Sequence, residues 1–237
     1  MAAETEHRAR TKADGPANYL RDWVYGGIDG AVTTFAVVAG VAGASLSTDV
    51  ILILGFANLV ADGFSMAAGN FSSSRTEAEQ YERLFGQVER RLAADPERER
   101  AALRRFYEAK GFAGVPLDHI VETISANDEG WARTMMVEEF GLAPIRRNPW
   151  LAAGNTYAAF LACGLVPLLP YLVGLGFVAS AVMTGMTFFA IGSLRSRWTD
   201  SSWWRSGLVT FGVGGIAATI AYVIGYGLRL LVGDAAI

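Results

Sequence analysis

The chain has 237 residues, of which 52% are hydrophobic and 18% are charged, and its mean hydropathy is +0.29. It is too apolar for an average soluble domain and too charged to lie in the membrane throughout. The formal net charge of -3 and the lack of a basic stripe interleaved with aromatic residues exclude a nucleic-acid-binding protein. The composition therefore predicts an all-α membrane protein with a polar insert, in contact with the lipid bilayer.

The N-terminal segment predicts a cytosolic tail. It is small, polar and charged over residues 1–17, without the apolar core and cleavage site of a secretory signal. We assign residues 1–20 to this tail and residues 21–75 to the first two membrane helices. The first span is predicted over residues 23–44, which is long enough to cross about 30 Å of hydrocarbon at about 1.5 Å per residue.

One side of the first span carries small and polar residues. Asp22 and Asp29 are seven residues apart and share this side with Gly26, Gly30 and Thr33. Such a face is typical of a helix contact or a water-filled lining. We interpret the two glycines as part of a contact between subunits.

The second predicted span, residues 50–71, has polar residues at every fourth position. They are Asn58, Asp62, Met66 and Asn70, which lie on one side of a helix. An acid in hydrocarbon costs at least about 2.5 kcal/mol on insertion scales, so Asp62 requires a partner, a cavity or a cation. Oxygen ligands beside a thioether favour a first-row transition metal. The alternative is that Met66 packs in the core and Asp62 is a structural hydrogen-bonding residue.

The two spans place their polar residues at matching depths. A short turn at residues 45–49 makes them antiparallel, so Asp29 is level with Met66 and Thr33 lies near the depth of Asp62. This match is the strongest indication of an ion path in the residues themselves.

The polar insert covers residues 76–147. The second helix continues to about residue 94, and capping signals predict helices over 96–110, 116–126 and 128–140. Crowded glutamates in the metal-free insert are expected to hold protons more tightly than free glutamate. The alternative is a solvated acidic face beside core methionines. The candidate metal ligands are Glu79, Glu82, Glu89, Glu97, Glu99, Met135, Met136, Glu138 and Glu139.

Three further spans are predicted within residues 148–237. They cover residues 150–171, 174–194 and 206–228, which gives five spans in total. Basic residues cluster before the first span and between the fourth and fifth. The positive-inside rule therefore places the N-terminus and the insert in the cytosol.

The sequence contains no readable catalytic group. His7 and His119 are isolated, and no serine or cysteine has an adjacent base. We therefore predict that the chain is not an enzyme and that it carries no prosthetic group.

With these residues identified, the chain resembles the vacuolar iron transporter family, including its bacterial relatives. The resemblance covers nearly the whole length. The matching motifs are Arg21-Asp22, Asp29-Gly30 with the following Ala-Val-Thr-Thr, Ala61 to Gly69, Glu79 to Arg83, Ala109 to Phe112, and Thr134 to Leu142.

The resemblance implies a homodimer of five-span subunits that moves ferrous iron, and sometimes manganese, out of the cytosol in exchange for protons. It assigns Asp29 and Met66 to the path and the glutamates and methionines of the insert to metal capture. It also predicts a bacterial inner membrane. Asn70 stands where many relatives carry an acid. In the insert, positions where His or Glu is common in the family hold Arg91, Ala93, Ala101 and Ala102, which predicts few bound ions and modest affinity there.

Two alternatives remain open from the sequence. Shared ligand chemistry allows an exporter that prefers manganese or another first-row metal. A membrane-anchored module that buffers or senses metal without transport uses the same residues in the insert.

Overall fold

A computed structural model of the protein describes residues 17–143, 147–198 and 200–235, and its regular structure is helical throughout these ranges. Most of the predicted tail therefore lies outside the described residues. The α-helices are α1 (Ala17–Gly43), α2 (Thr48–Ala94), α3 (Pro96–Ala109), α4 (Gly114–Ser125), α5 (Asp128–Phe140), α6 (Pro149–Gly164), α7 (Leu169–Leu172), α8 (Phe177–Arg195) and α9 (Trp203–Ala235).

The described residues form two compact units. The insert unit is Ser73–Arg147, and the membrane unit combines the residues up to Ser72 with those from Asn148 onward. Helix α2 contributes to both, because it continues without a break from the apolar segment into the polar one.

Within the described ranges, four helices are long and apolar enough to cross a membrane: Tyr19–Gly43, Thr48–Ala94, Phe177–Arg195 and Trp203–Gly233. They correspond to the first, second, fourth and fifth predicted spans.

The third predicted span is divided. Helix α6 has 16 residues, and a turn and the four-residue α7 follow it. Pro167 and Pro170 lack the N–H groups that an uninterrupted helix needs there. Ser180 of α8 donates a hydrogen bond of 2.7 Å to the carbonyl oxygen of Pro167, which satisfies one backbone group at this break.

Helix α1 is central to the membrane unit and contacts α6, α8 and α9. A Cβ atom on Gly26 would lie 2.5 Å from the carbonyl oxygen of Thr156, and one on Gly30 would lie 2.4 Å from that of Phe160. Both contacts are with α6 of the same chain. The interpretation of these two glycines as part of a subunit contact is therefore wrong, because the backbone of α6 already occupies the space beside them.

The insert unit has its own apolar core. Val88 and Leu92 of α2 are buried with Leu103, Leu117 and Trp131 from the three shorter helices. Helix α3 begins as predicted after Asp95, whose carboxylate accepts a hydrogen bond from the N–H of Arg98 at 3.1 Å. Helix α5 ends at Gly141, which adopts a φ of 66° that favours glycine. All three short helices lie within two residues of their predicted bounds.

Candidate functional site

Two carboxylates, one on α1 and one on α2, interact electrostatically in the membrane unit. Asp29 of α1 and Asp62 of α2 are both half-buried, and they are close enough for their charges to interact. Like charges this close repel unless a cation or a proton lies between them. We call the surface formed by Asp29, Thr33, Asn58, Asp62 and Met66 the seam.

The other seam residues have separate local roles. The hydroxyl of Thr33 donates to the carbonyl oxygen of Asp29 at 2.9 Å, so it is satisfied within its own helix. Met66 packs against the edge of the apolar core of the membrane unit. The amide nitrogen of Asn58 is buried and has no hydrogen-bond partner among the described residues. A water or hydrated ion in the seam would supply the missing acceptor.

Asp22 and Asn70 meet away from the seam residues. The amide of Asn70 donates to the carboxylate of Asp22 at 3.0 Å, to the hydroxyl of Thr156 at 2.7 Å and to the carbonyl oxygen of Ala152 at 3.3 Å. Asp22 is only 7% exposed. These two residues of the predicted path therefore join α1, α2 and α6. Thr156 was not predicted, although a polar pair, Asn155 and Thr156, interrupts the third apolar run.

The glutamates at the start of the insert unit are exposed. Glu79 forms an ion pair of 2.7 Å with Arg75, and Glu97 forms one of 2.6 Å with Arg100. Glu82 and Glu89 are exposed as well. These positions match the solvated face that the sequence offered as an alternative.

Met135 and Met136 are inside the core of the insert unit. Their exposed fractions are 1% and 0%, and they pack with Val88, Leu103 and Trp131. The sequence pattern did not separate core methionines from ligands. In the described conformation, a metal ion would have to enter this core to reach either sulfur atom.

Basic residues of the insert unit hold the acids beside these methionines. The guanidinium of Arg91 pairs with Glu139 through two hydrogen bonds and contacts the buried Glu99 at 3.3 Å. The ammonium group of Lys110 pairs with Glu138. Together with Glu79 and Glu97, five of the predicted metal ligands therefore have cationic partners among the described residues.

These ion pairs change proton affinity. Hydrogen bonding to Arg91 holds the pKa of Glu139 below its ordinary value, and the same contact raises the pKa of Arg91. Hydrogen bonding to Glu138 raises the pKa of Lys110. The expectation that some of the crowded acids hold protons more tightly does not apply to Glu139, because its neighbour is a cation and not another carboxylate.

Across the described ranges, no three side chains of His, Cys, Asp or Glu are grouped closely enough to hold a metal ion. The seam brings together two acids with a nearby thioether, and the insert unit brings together paired acids. The metal-binding roles of both sets stay predictions.

Comparison with known proteins identifies the family. The family model described as the VIT family matches residues 20–226, which is most of the chain. The chain is a member of the VIT family. With its four candidate spans, it is a multi-pass membrane protein, and the resemblance found in the sequence is confirmed.

Several curated relatives in the VIT family are similar over most of their length. A vacuolar iron transporter of Toxoplasma gondii is 32% identical, over 96% of this chain and 79% of the relative. Vacuolar iron transporter 1 of Arabidopsis thaliana is 29% identical, over 86% of this chain and 84% of the relative. Vacuolar iron transporter 1 of Oryza sativa is 27% identical, over 93% of this chain and 90% of the relative. The relatives are transporters, which confirms that the chain is not an enzyme.

Proposed function

We propose that this VIT-family chain carries ferrous iron, and manganese as a second cargo, out of the cytosol in exchange for protons. The observation that supports this most directly is the interaction between the charges of Asp29 and Asp62, which belong to two different membrane helices. The relatives named as vacuolar iron transporters support the choice of iron.

The chemistry of the seam fits alternate binding of a metal ion and protons. Two ionised carboxylates repel in a medium of low dielectric constant, and a divalent cation between them offsets that repulsion. When the cation leaves, a proton on one of the acids has the same effect. The thioether of Met66 adds a softer ligand, which favours a transition metal such as Fe²⁺ over Mg²⁺ and Ca²⁺.

The proposed topology has five spans, with the N-terminus and the insert in the cytosol. Helix α6, the turn after it and α7 together form the third span, which brings the chain across to α8. The exposed tryptophans Trp23, Trp150 and Trp203 lie near the starts of α1, α6 and α9. These are the helix ends that the positive-inside rule assigns to the cytosol. The test is cysteine labelling in intact cells: an introduced cysteine at Glu97 that reacts with an impermeant reagent would contradict this orientation.

We further propose that two copies of the chain pair through their first two spans. The face of α2 opposite its contacts with α6 exposes Phe56, Val60 and Phe64, with the small residues Ala57 and Ala61 between them. Small residues let a second helix approach closely in a membrane. Cross-linking between cysteines introduced at Ala57 or Ala61 tests this pairing, and a monodisperse monomer that transports metal would contradict it.

The experiment for the transport function uses purified full-length protein in sealed vesicles that contain a pH dye. A panel of Fe²⁺, Mn²⁺, Zn²⁺ and Mg²⁺ is added under an imposed pH gradient of either sign. Iron flux coupled to proton movement in the opposite direction is the expected result. Binding without flux would replace the proposal with a buffering or sensing role.

A further inference from the structure

A small pocket lies where α8 ends and α9 begins. Its volume is about 130 Å³, below the range of about 300–1,000 Å³ that is usual for larger organic ligands. The pocket therefore suits a small group of atoms. It is lined by Arg195, Ser201, Arg205, Ser206 and Val209.

The positive charge of this pocket is not neutralised by a carboxylate of the described chain. Neither Arg195 nor Arg205 takes part in an ion pair among the described residues, and the nearby Asp200 pairs with neither. The guanidinium of Arg205 lies 5.2 Å from the centre of the Trp204 ring, a contact with the ring face that leaves its N–H groups free to donate.

The backbone around the pocket is closely packed. A Cβ atom on Gly192 of α8 would lie 2.7 Å from the carbonyl oxygen of Ser206, and one on Gly207 of α9 would lie 2.8 Å from the hydroxyl of Ser193. The two helices therefore hold their facing backbones in place. The first turn of α9 also points N–H groups without intrahelical acceptors toward this end of the helix.

We propose that this pocket binds a phosphate group. Two guanidinium groups, two serine hydroxyls and the start of a long helix are the donors that a tetrahedral anion accepts from. Phosphate could come from an anionic lipid headgroup or from the aqueous phase. Trp203 and Trp204 are 60% and 45% exposed beside the pocket, a placement typical of the lipid–water interface, where basic pockets between membrane helices hold lipid headgroups.

The test measures lipid retained by the purified full-length protein, using native mass spectrometry after exposure to phosphatidic acid or phosphatidylcholine. Retention of phosphatidic acid in preference to phosphatidylcholine is expected. The double variant R195Q/R205Q should reduce that retention about fivefold for each arginine removed, as expected for basic residues at an anionic surface. The variant R195K/R205K keeps the positive charge but lacks the fork-shaped donors of arginine. Its retention of phosphatidic acid should lie between that of the wild type and that of R195Q/R205Q.

The matched control is R21Q/R197Q. It removes two arginines near the ends of membrane helices, and neither of them lines the pocket. An equal loss in this control would overturn the proposal, because retention would then reflect general surface charge. Unchanged retention in R195Q/R205Q, with a normal elution profile and helical content, would overturn it as well.

A second arm separates the two sources of phosphate. Inorganic phosphate is titrated into the detergent-solubilised protein, and binding is followed by calorimetry for the wild type and for R195Q/R205Q. Binding that the double variant loses would identify a site for free phosphate. Phosphatidic acid retention that excess inorganic phosphate does not displace would identify a lipid headgroup site. If neither ligand binds to the wild type, the proposal is wrong.

Discussion

The amide of Asn70 lies 3.0 Å from the carboxylate of Asp22 and donates a hydrogen bond to it across 48 positions of the chain. The replacement Asn70→Asp puts a carboxylate in place of that donor, beside an acid that is 7% exposed. We expect a loss of about 1–3 kcal/mol in the free energy of unfolding, because the buried carboxylate of Asp22 loses this hydrogen-bond donor. Thermal unfolding in detergent measures this loss.

Asn127→Asp is the control for that substitution. The side chain of Asn127 caps α5 by accepting from the N–H of Gly130 at 2.8 Å, and aspartate accepts in the same way. Its stability should be unchanged or slightly raised. A similar loss in both variants would mean that added negative charge, and not the contact with Asp22, causes the effect.

Asp29→Asn should abolish metal transport while the protein stays folded. The change keeps the shape of the side chain but removes the charge that interacts with Asp62, and with it the proposed metal ligand and proton carrier. Met66→Leu should retain most of the rate and reduce the preference for Fe²⁺ over Mg²⁺. Vesicle flux with each metal measures both effects, and wild-type flux in Asp29→Asn would place the path elsewhere.

Arg91→Gln should loosen the insert unit in a pH-dependent way. The pKa of Glu139 is below its ordinary value of 4.5, so the pair with Arg91 stabilises the fold above about pH 4.5 and loses this effect as the pH falls through the lower folded-state pKa. The variant should therefore exchange amide hydrogens of the insert unit faster than the wild type at neutral pH. The difference should shrink in acid.

Arg133→Gln is the control for Arg91. Arg133 pairs with Glu129, and both side chains are exposed, so their contribution is about 0–1 kcal/mol. Hydrogen exchange of the full-length protein, compared between variants at each pH, measures both changes. Equal increases in exchange rate in the two variants would show that the buried contact of Glu99 with Arg91 does not stabilise the insert unit.

Substitution of the two buried methionines separates a packing role from metal ligation. Met135→Leu and Met136→Leu conserve volume in the core and should cost less than about 1.5 kcal/mol each. Because both sulfur atoms lie inside this core, we expect Mn²⁺ binding by the full-length protein to be unchanged. A clear loss of affinity without a loss of stability would instead assign the sulfur atoms to a metal site.

Gly30→Ala should destabilise the membrane unit by about 1–3 kcal/mol or more, because overpacking forces backbone to move. The new Cβ atom would lie 2.4 Å from the carbonyl oxygen of Phe160. Gly69→Ala is the matched control, since nothing lies within 4 Å of its added Cβ atom and alanine favours helix by about 1 kcal/mol. In unfolding measurements in detergent, Gly69→Ala should be more stable than the wild type and Gly30→Ala less stable.

Local sequence signals were sufficient to predict the helices of the insert unit and part of the seam. The caps at Asp95 and Asn127 and the glycine at Gly141 define helices within the insert unit at nearly the predicted bounds. Depth along two antiparallel helices predicted Asp29 level with Met66 and Thr33 near Asp62, whereas the charge of Asp29 interacts with that of Asp62, one helical turn from Met66. The repeat of polar residues lies within each single helix, so the local sequence is enough to predict which residues share a face of that helix.

Contacts between distant segments could not be predicted in the same way. The pairing of Arg91 with Glu139 joins residues 48 positions apart, and nothing in the local pattern assigns a guanidinium to one carboxylate among many. The choice of α6 as the partner of Gly30 also depends on which helix packs nearest. Pro167 was visible in the sequence, but the length of helix lost before it depends on the turn that follows.

The close backbone contacts of α1 restrict how this protein can move. Gly30 meets α6, and Gly40 meets Gly225 of α9, where an added Cβ atom would lie 2.0 Å from a carbonyl oxygen. Helices fixed by backbone on two sides cannot rotate or slide past one another without separating. Helix α2 meets α6 and the turn after it through side chains, with Tyr157 of α6 against Gly63 and Leu168 of the turn against Gly55. Side chains can change rotamer on a nanosecond scale. A gate that opens the seam to either side would therefore move α2 against a static frame of α1, α6 and α9.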